Sequence, residues 1–97
     1  MTDDQASVTV RDDRERNRFE AVDESGVVAG FAAYRRSPKR IVFTHTVVDD
    51  AFEGRGVGST LVRAALDAAR EEGLTVVPRC PFVRAYIEKH PDYADLV

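Results

Sequence analysis

The hydrophobic pattern of this chain changes period across Glu53-Gly54-Arg55-Gly56-Val57-Gly58. Ahead of that stretch, apolar and polar residues alternate in short runs, the period of half-buried strands. Behind it, Val57, Leu61, Val62, Ala65, Leu66 and Ala69 recur at the spacing of one helical stripe. A chain passing so abruptly from extended to helical backbone needs positions free of side-chain restriction, and glycines at every second place supply them.

The strand runs are Ser7–Arg11, Arg18–Val22, Val27–Tyr34 and Arg40–Val48, joined by the polar stretch Asp12–Asn17 and turns at Asp23–Gly26 and Ser37-Pro38. In the fourth run, alternation predicts Ile41, Phe43, His45 and Val47 on one face, with Val42, Thr44, Thr46 and Val48 on the other. Short polar links favour an antiparallel meander. A helix follows over Gly56–Glu72, with Arg63 and Asp67 as an exposed pair one turn apart and Gly73 as a left-handed cap. Leu74–Val77 reads as a short buried strand stopped by Pro78. Pro81 suits the first position of a second helix running to about Lys89, with Phe82, Val83, Tyr86 and Ile87 as its apolar side. The expected fold is α+β: an antiparallel strand meander, then helix–strand–helix, with the helices packed on the sheet.

At 97 residues the chain supports one domain over 1–97. No apolar run has the length of a membrane helix, and Met1-Thr2-Asp3-Asp4 is acidic where a secretory signal would be basic. Cys80 has no second cysteine to pair with, so the cytoplasm is the expected setting. The net charge of −3 has no basic stripe, and Arg35-Arg36 and Lys39-Arg40 flank a turn as loop cations would. No nucleic-acid or membrane partner is expected, and a monomer or weak homodimer is. His45, Cys80 and His90 lack the close spacing of metal ligands, so no metal is expected.

The glycine turn carries the chemistry. The first turn of a helix leaves amide N–H groups unpaired and concentrates partial positive charge, so a phosphate can be held there. A P-loop would place Lys before Ser59, and none is present. A dinucleotide fingerprint would read G-x-G-x-x-G after the first strand of a βαβ unit, whereas this is G-x-G-x-G after a meander. Spacing alone leaves an anion site and an inert connector equally open.

Glu53-Gly54-Arg55-Gly56-Val57-Gly58 between strand and amphipathic helix resembles the acyl-CoA signature of the GNAT acetyltransferases, with Glu53 where that signature has Gln or Arg. Arg18-Phe19-Glu20, His45–Val48, Pro78–Val83, Tyr86-Ile87 and His90-Pro91 are similar to the small stand-alone branch of that superfamily. The resemblance implies an acetyl-CoA-dependent N-acetyltransferase that acts on a small-molecule or protein amine and releases coenzyme A. It implies that the backbone of Val47 and Val48 pairs with the pantetheine arm. The turn Glu53, Gly54, Arg55, Gly56, Val57, Gly58, Ser59 would hold the pyrophosphate. Tyr86 would return a proton to the departing thiolate, and Cys80 stands where a catalytic cysteine is suspected. The alternative is a non-catalytic acyl-CoA-binding module.

Acetyl transfer to an amine needs the neutral amine, an obstacle of about 4–5 kcal/mol for a lysine-like acceptor at pH 7. His45 is the best-tuned general base and Glu53 a weaker one, against the readings of a strand histidine and a solvated acid. Cys80, ahead of Pro81 at a helix N-terminus, suits an acetyl-cysteine intermediate, or else fills core space. Direct attack and the covalent route both stay open.

Overall fold

β-Branched and aromatic residues alternate in the first half of the chain, and that half folds into sheet. In the computed structural model, which describes residues 7–97, the strands are β1 (Val8–Asp13), β2 (Arg18–Asp23), β3 (Val28–Ser37) and β4 (Arg40–Val48). They pair antiparallel in chain order. The acidic stretch Met1–Asp4 lies outside the described residues. Asp23 fixes the β2–β3 turn, its carboxylate accepting from the Ser25 and Val27 amides at 2.9 Å each, and Gly26 takes φ 89°. β5 (Thr75–Pro78) then joins β4 in parallel. The crossover between them is α1 (Val57–Glu71), and α2 (Pro81–Lys89) packs beside it, against β4 and β5. Two 3-10 segments, Asp50–Phe52 and Pro91–Leu96, complete the described chain. The fold is α+β, as the periods predict.

Every residue of the predicted helical stripe is buried, together with Gly58. They meet Phe19, Ala21, Ala32, Tyr34, Ile41 and Phe43 from the sheet. Burial of this stripe is the main stabilising term, at roughly 25 cal/mol per Å² of apolar surface. Helix ends follow the sequence: Gly73 adopts φ 70° past α1, and Pro81 opens α2.

Four readings need correction. β3 runs on to Ser37, so Arg35 and Arg36 lie in the strand and not in a loop. Arg36 grips Glu72, next to the last turn of α1, through bonds of 2.9 and 3.0 Å, while Tyr34 bonds Asp12 on the same face. Arg63 and Asp67 form no ion pair; Asp67 instead accepts from the Tyr93 hydroxyl at 2.7 Å. Phe82 is not core: it is 43% exposed. Finally, the β3–β4 register shifts so that Ala33 faces His45 while Tyr34 faces Phe43, leaving Thr44 without a partner. This bulge resets the alternation of β4. Ile41 and Phe43 face the helices, as does Thr46, whereas His45 and Val47 emerge on the other side.

The bulge also marks where β4 loses β5. Their pairing ends at Phe43 and Pro78, and beyond it Thr44–Val48 has no partner strand on that side among the described residues. The face opposite the helices is covered by side chains. Glu20, 0% exposed, accepts from Arg11 at 2.9 Å and Arg18 at 2.8 Å. The Arg18 guanidinium lies 4.3 Å from the Phe31 ring centre, and Phe31 meets His45 edge-on at 5.8 Å.

Candidate active site around the glycine turn

After β4 the chain makes one 3-10 turn, with the Asp49 carboxylate accepting from the Ala51 amide at 2.9 Å. Gly54 and Gly56 then take φ 79° and 77°, the left-handed backbone that favours glycine. Gly56 is the N-cap of α1, no side chain caps the helix, and no acid stands in its first turn. The leading amides are thus left for an external acceptor. Gly58 serves a different end. A Cβ there would lie 2.7 Å from Phe82 Cζ, so the missing side chain makes room for the Phe82 ring.

Val48, Phe52, Glu53, Gly54, Gly56, Val57, Gly58, Ser59 and Phe82 line a cleft of about 270 Å³. It lies beside the unpaired end of β4. Arg55 is exposed, its guanidinium 6.0 Å from the Phe52 ring centre, and Glu53 is exposed with its amide donating to the Asp50 carbonyl at 3.3 Å. Val47 is 44% exposed on the opposite face of the strand.

Cys80 sits where β4 and β5 part. Its amide donates to the Phe43 carbonyl at 2.9 Å, and its Sγ lies 3.3 Å from Thr46 Oγ1. The thiol is on the helix face, and the residue is 2% exposed at the N-cap of α2. His45 is exposed on the opposite face, with Nδ1 3.2 Å from Thr44 Oγ1. The Thr44 hydroxyl donates to the Ala33 carbonyl at 3.3 Å, so its oxygen accepts from Nδ1–H and Nε2 is left as the basic nitrogen.

Tyr86 is not brought to Cys80. Its ring stacks on His90 at 3.9 Å, and His90 Nδ1–H donates to the Tyr86 carbonyl at 2.8 Å. Burial pushes the Tyr86 hydroxyl above its usual pKa, with Asp67 adding to the rise and Arg63 opposing it. Tyr86 lines a second cleft, between α1 and α2, with Gly56, Ser59, Thr60, Arg63 and His90.

The structure therefore gathers the glycine turn and Val48 into one cleft, with Cys80 on the same side of β4. His45 and Val47 lie across the strand, and Tyr86 lies in the neighbouring cleft. Phe82 and Arg63 line the two clefts and Thr46 touches Cys80, roles that periodicity does not give, since it predicts Phe82 as core and Arg63 as half of an exposed ion pair. Thr46 was legible only as one more β-branched strand residue, and its contact with Cys80 depends on the bulge. Among the described residues, no three His, Cys, Asp or Glu side chains are grouped as a metal would require.

The family model described as GCN5-related N-acetyl-transferase matches residues 18–96. The mouse protein named NATD1 is 34% identical over 85 residues, covering 87% of this chain and 77% of that one. Its Xenopus tropicalis namesake is 32% identical over 90 residues, covering 92% and 83%. The solution structure of a GCN5-like protein from Staphylococcus aureus superposes with a TM-score of 0.67 at 30% identity, covering 91% of this chain and 85% of that one.

Proposed function

The chain belongs to the GCN5-related N-acetyltransferase family, and we propose that it binds acetyl-CoA at the glycine turn and moves the acetyl group to an amine. The observation that carries this reading is one juxtaposition. An uncapped helix start opens onto the same cleft as the end of β4 that has lost its neighbouring strand. The amides of Val57, Gly58 and Ser59 suit the pyrophosphate, with Glu53, Gly54, Arg55 and Gly56 shaping the approach. The free backbone edge of Val47 and Val48 suits the amides of the pantetheine arm as an added strand would.

The thioester would then lie where β4 and β5 part, with Cys80 on the helix side and His45 on the open side. His45 Nε2 would take the proton that the attacking amine must lose. The amine nitrogen forms the amide bond, the thioester C–S bond breaks, and coenzyme A leaves as the thiol. In the two-step route the Cys80 thiolate accepts the acetyl group first and the amine then displaces it. Tyr86, the proton donor that resemblance implies, opens onto the other cleft, so proton return falls to His45. A reducing cytoplasm would keep Cys80 free.

Ser59→Glu tests the cofactor site. Residue 59 is exposed in the first turn, where a carboxylate favours the helix dipole, so the fold should stand while the anion is repelled. Calorimetric titration should give micromolar acetyl-CoA binding to the parent and at least about tenfold weaker binding to the variant, with unchanged melting. Absence of heat and of a melting shift up to millimolar acetyl-CoA in the parent would overturn the reading. The burial of Cys80, at 2% exposed, favours as second reading a non-catalytic acyl-CoA-binding module. Release of free coenzyme A thiol in the presence of amines separates the two.

A further inference from the structure

We propose that the face of the sheet opposite the helices docks the acetyl acceptor, and that this acceptor is an acidic polypeptide segment. The inference rests on the preceding reading that His45 receives the proton of the attacking amine. Strand pairing puts Asp13, Arg18, Ala33 and His45 in one row across the sheet, and Arg11, Glu20, Phe31 and Val47 in the next. Residues paired in this way share a face. Past the bulge, Arg35 pairs with Val42 and Ser37 with Arg40 on that same face. Folding thus gathers there four arginines that stand apart in the sequence, Arg11, Arg18, Arg35 and Arg40, against the carboxylates of Asp13 and Glu20. The chain as a whole is acidic, at −3, so the positive surplus is local.

The carboxylates do not cancel it. Glu20 is one buried acid shared by two guanidiniums, Arg11 at 2.9 Å and Arg18 at 2.8 Å, which leaves a positive charge over. Asp13 is taken up by the β1–β2 turn, accepting from the Glu15 and Arg16 amides at 3.2 Å each. Arg18 reaches Glu20 through Nε, and its Nη groups bond nothing else among the described residues. Arg35 and Arg40 are exposed and enter no ion pair among the described residues. A guanidinium with open N–H groups takes a carboxylate in a fork. Spacing sets the form of the acceptor. Arg18 is two strands from His45 and Arg35 about three residues along, so each lies roughly 10 Å from it. An extended chain advances about 3.3 Å per residue, so an amine at His45 would bring carboxylates about three residues away beside either arginine. That reach exceeds a single amino acid and calls for a polypeptide. A nucleic acid suits the face less. Its Phe31 ring is already covered by the Arg18 guanidinium at 4.3 Å and met edge-on by His45, so it is not open to a base.

Fluorescence anisotropy tests this with a short peptide that has a free amino terminus, glutamates from its fourth position on and a dye at its far end. The comparison probes are the same peptide with glutamine for glutamate, and a single-stranded oligonucleotide. The parent should bind the glutamate peptide about tenfold more tightly than the glutamine peptide, and added salt should erase the difference. Arg35→Glu and Arg84→Glu change the net charge equally, but Arg84 lies on α2, on the helix side of the sheet. Both positions are exposed, so both variants should melt with the parent. Arg35→Glu should weaken the glutamate peptide about fivefold or more, and Arg84→Glu should leave it nearly unchanged. Arg40→Glu repeats the reversal on β4 and should behave as Arg35→Glu does. Equal binding of the two peptides by the parent would overturn the inference. So would equal weakening by Arg35→Glu and Arg84→Glu, or tighter binding of the oligonucleotide than of the glutamate peptide. Mass spectrometry of the peptide after addition of acetyl-CoA separates the inference from the reading beneath it. A peptide that binds this face yet gains no acetyl group would support the docking face while defeating the transfer reading.

Discussion

Gly30 and Gly58 are both buried, and a Cβ built on either would come within 2.7 Å of a neighbour, but the neighbours differ. At Gly30 the obstacle is the Val47 carbonyl, a backbone atom fixed in the β3–β4 ladder. At Gly58 it is the tip of the Phe82 ring, which is 43% exposed and can turn away. Gly30→Ala should therefore cost about 1–3 kcal/mol. That corresponds to a melting drop of about 4 °C or more for a domain of this size. Gly58→Ala should melt at or slightly above the parent temperature, because alanine gains up to about 1 kcal/mol of helix propensity. Its displaced Phe82 ring would crowd the cleft and weaken acetyl-CoA. Thermal melts of the two variants check the pair, and the reverse order would refute these glycine roles.

The C-terminal 3-10 segment Pro91–Leu96 is tied to α1 by side chains. Tyr93 donates to Asp67 at 2.7 Å, and Arg70 reaches Asp95 at 2.8 and 3.1 Å and the Asp92 carbonyl at 2.7 Å. The Asp67 hydrogen bond, then burial, pushes the Tyr93 hydroxyl up to about 12. A folded pKa above the unfolded one adds stability below pH ~10, the unfolded value, and that contribution disappears as pH rises through the folded value. Tyr93→Phe should lose about 1 kcal/mol at pH 7 and show a shallower loss of stability at alkaline pH, as denaturant titrations would register. This segment was invisible in the sequence because it has no hydrophobic period; partners far along the chain hold it. The strands and both helices were legible because burial of one face imposes a period. The bulge at Thr44 was not, since nothing local distinguishes that threonine from its neighbours. With it went the faces of His45, Thr46 and Val47. In the site, the glycine turn was legible from backbone demands alone, whereas the use of Gly58 by Phe82 needs two helices to meet.

Across the whole molecule the acids outweigh the bases, giving a net charge of −3, and several carboxylates are held by cations. Burial raises Glu20, but the hydrogen bonds and charges of Arg11 and Arg18 outweigh it, leaving the group below its ordinary value. Glu72 is likewise lowered, by Arg36, and Asp95 by Arg70. A depressed folded pKa gives stability that is present above the unfolded value of about 4 and lost as pH falls through the folded one. Melting temperature should thus hold from pH 7 to about 5 and fall below pH ~4. Glu20→Gln should lower it at pH 7 and flatten the acid limb; an unchanged acid limb would show that Glu20 carries none of it.

The paired arginines over Glu20, the Phe31 ring and His45 together roof the face of the sheet that, among the described residues, no helix covers. Ordering such a roof removes only rotamer freedom, about 2 kcal/mol for each arginine. A helix laid there would have to freeze its whole main chain, at about 1–2 kcal/mol for every residue. A short polypeptide can in this way close a two-sided sheet with one layer of helices, letting long side chains stand in for the missing layer.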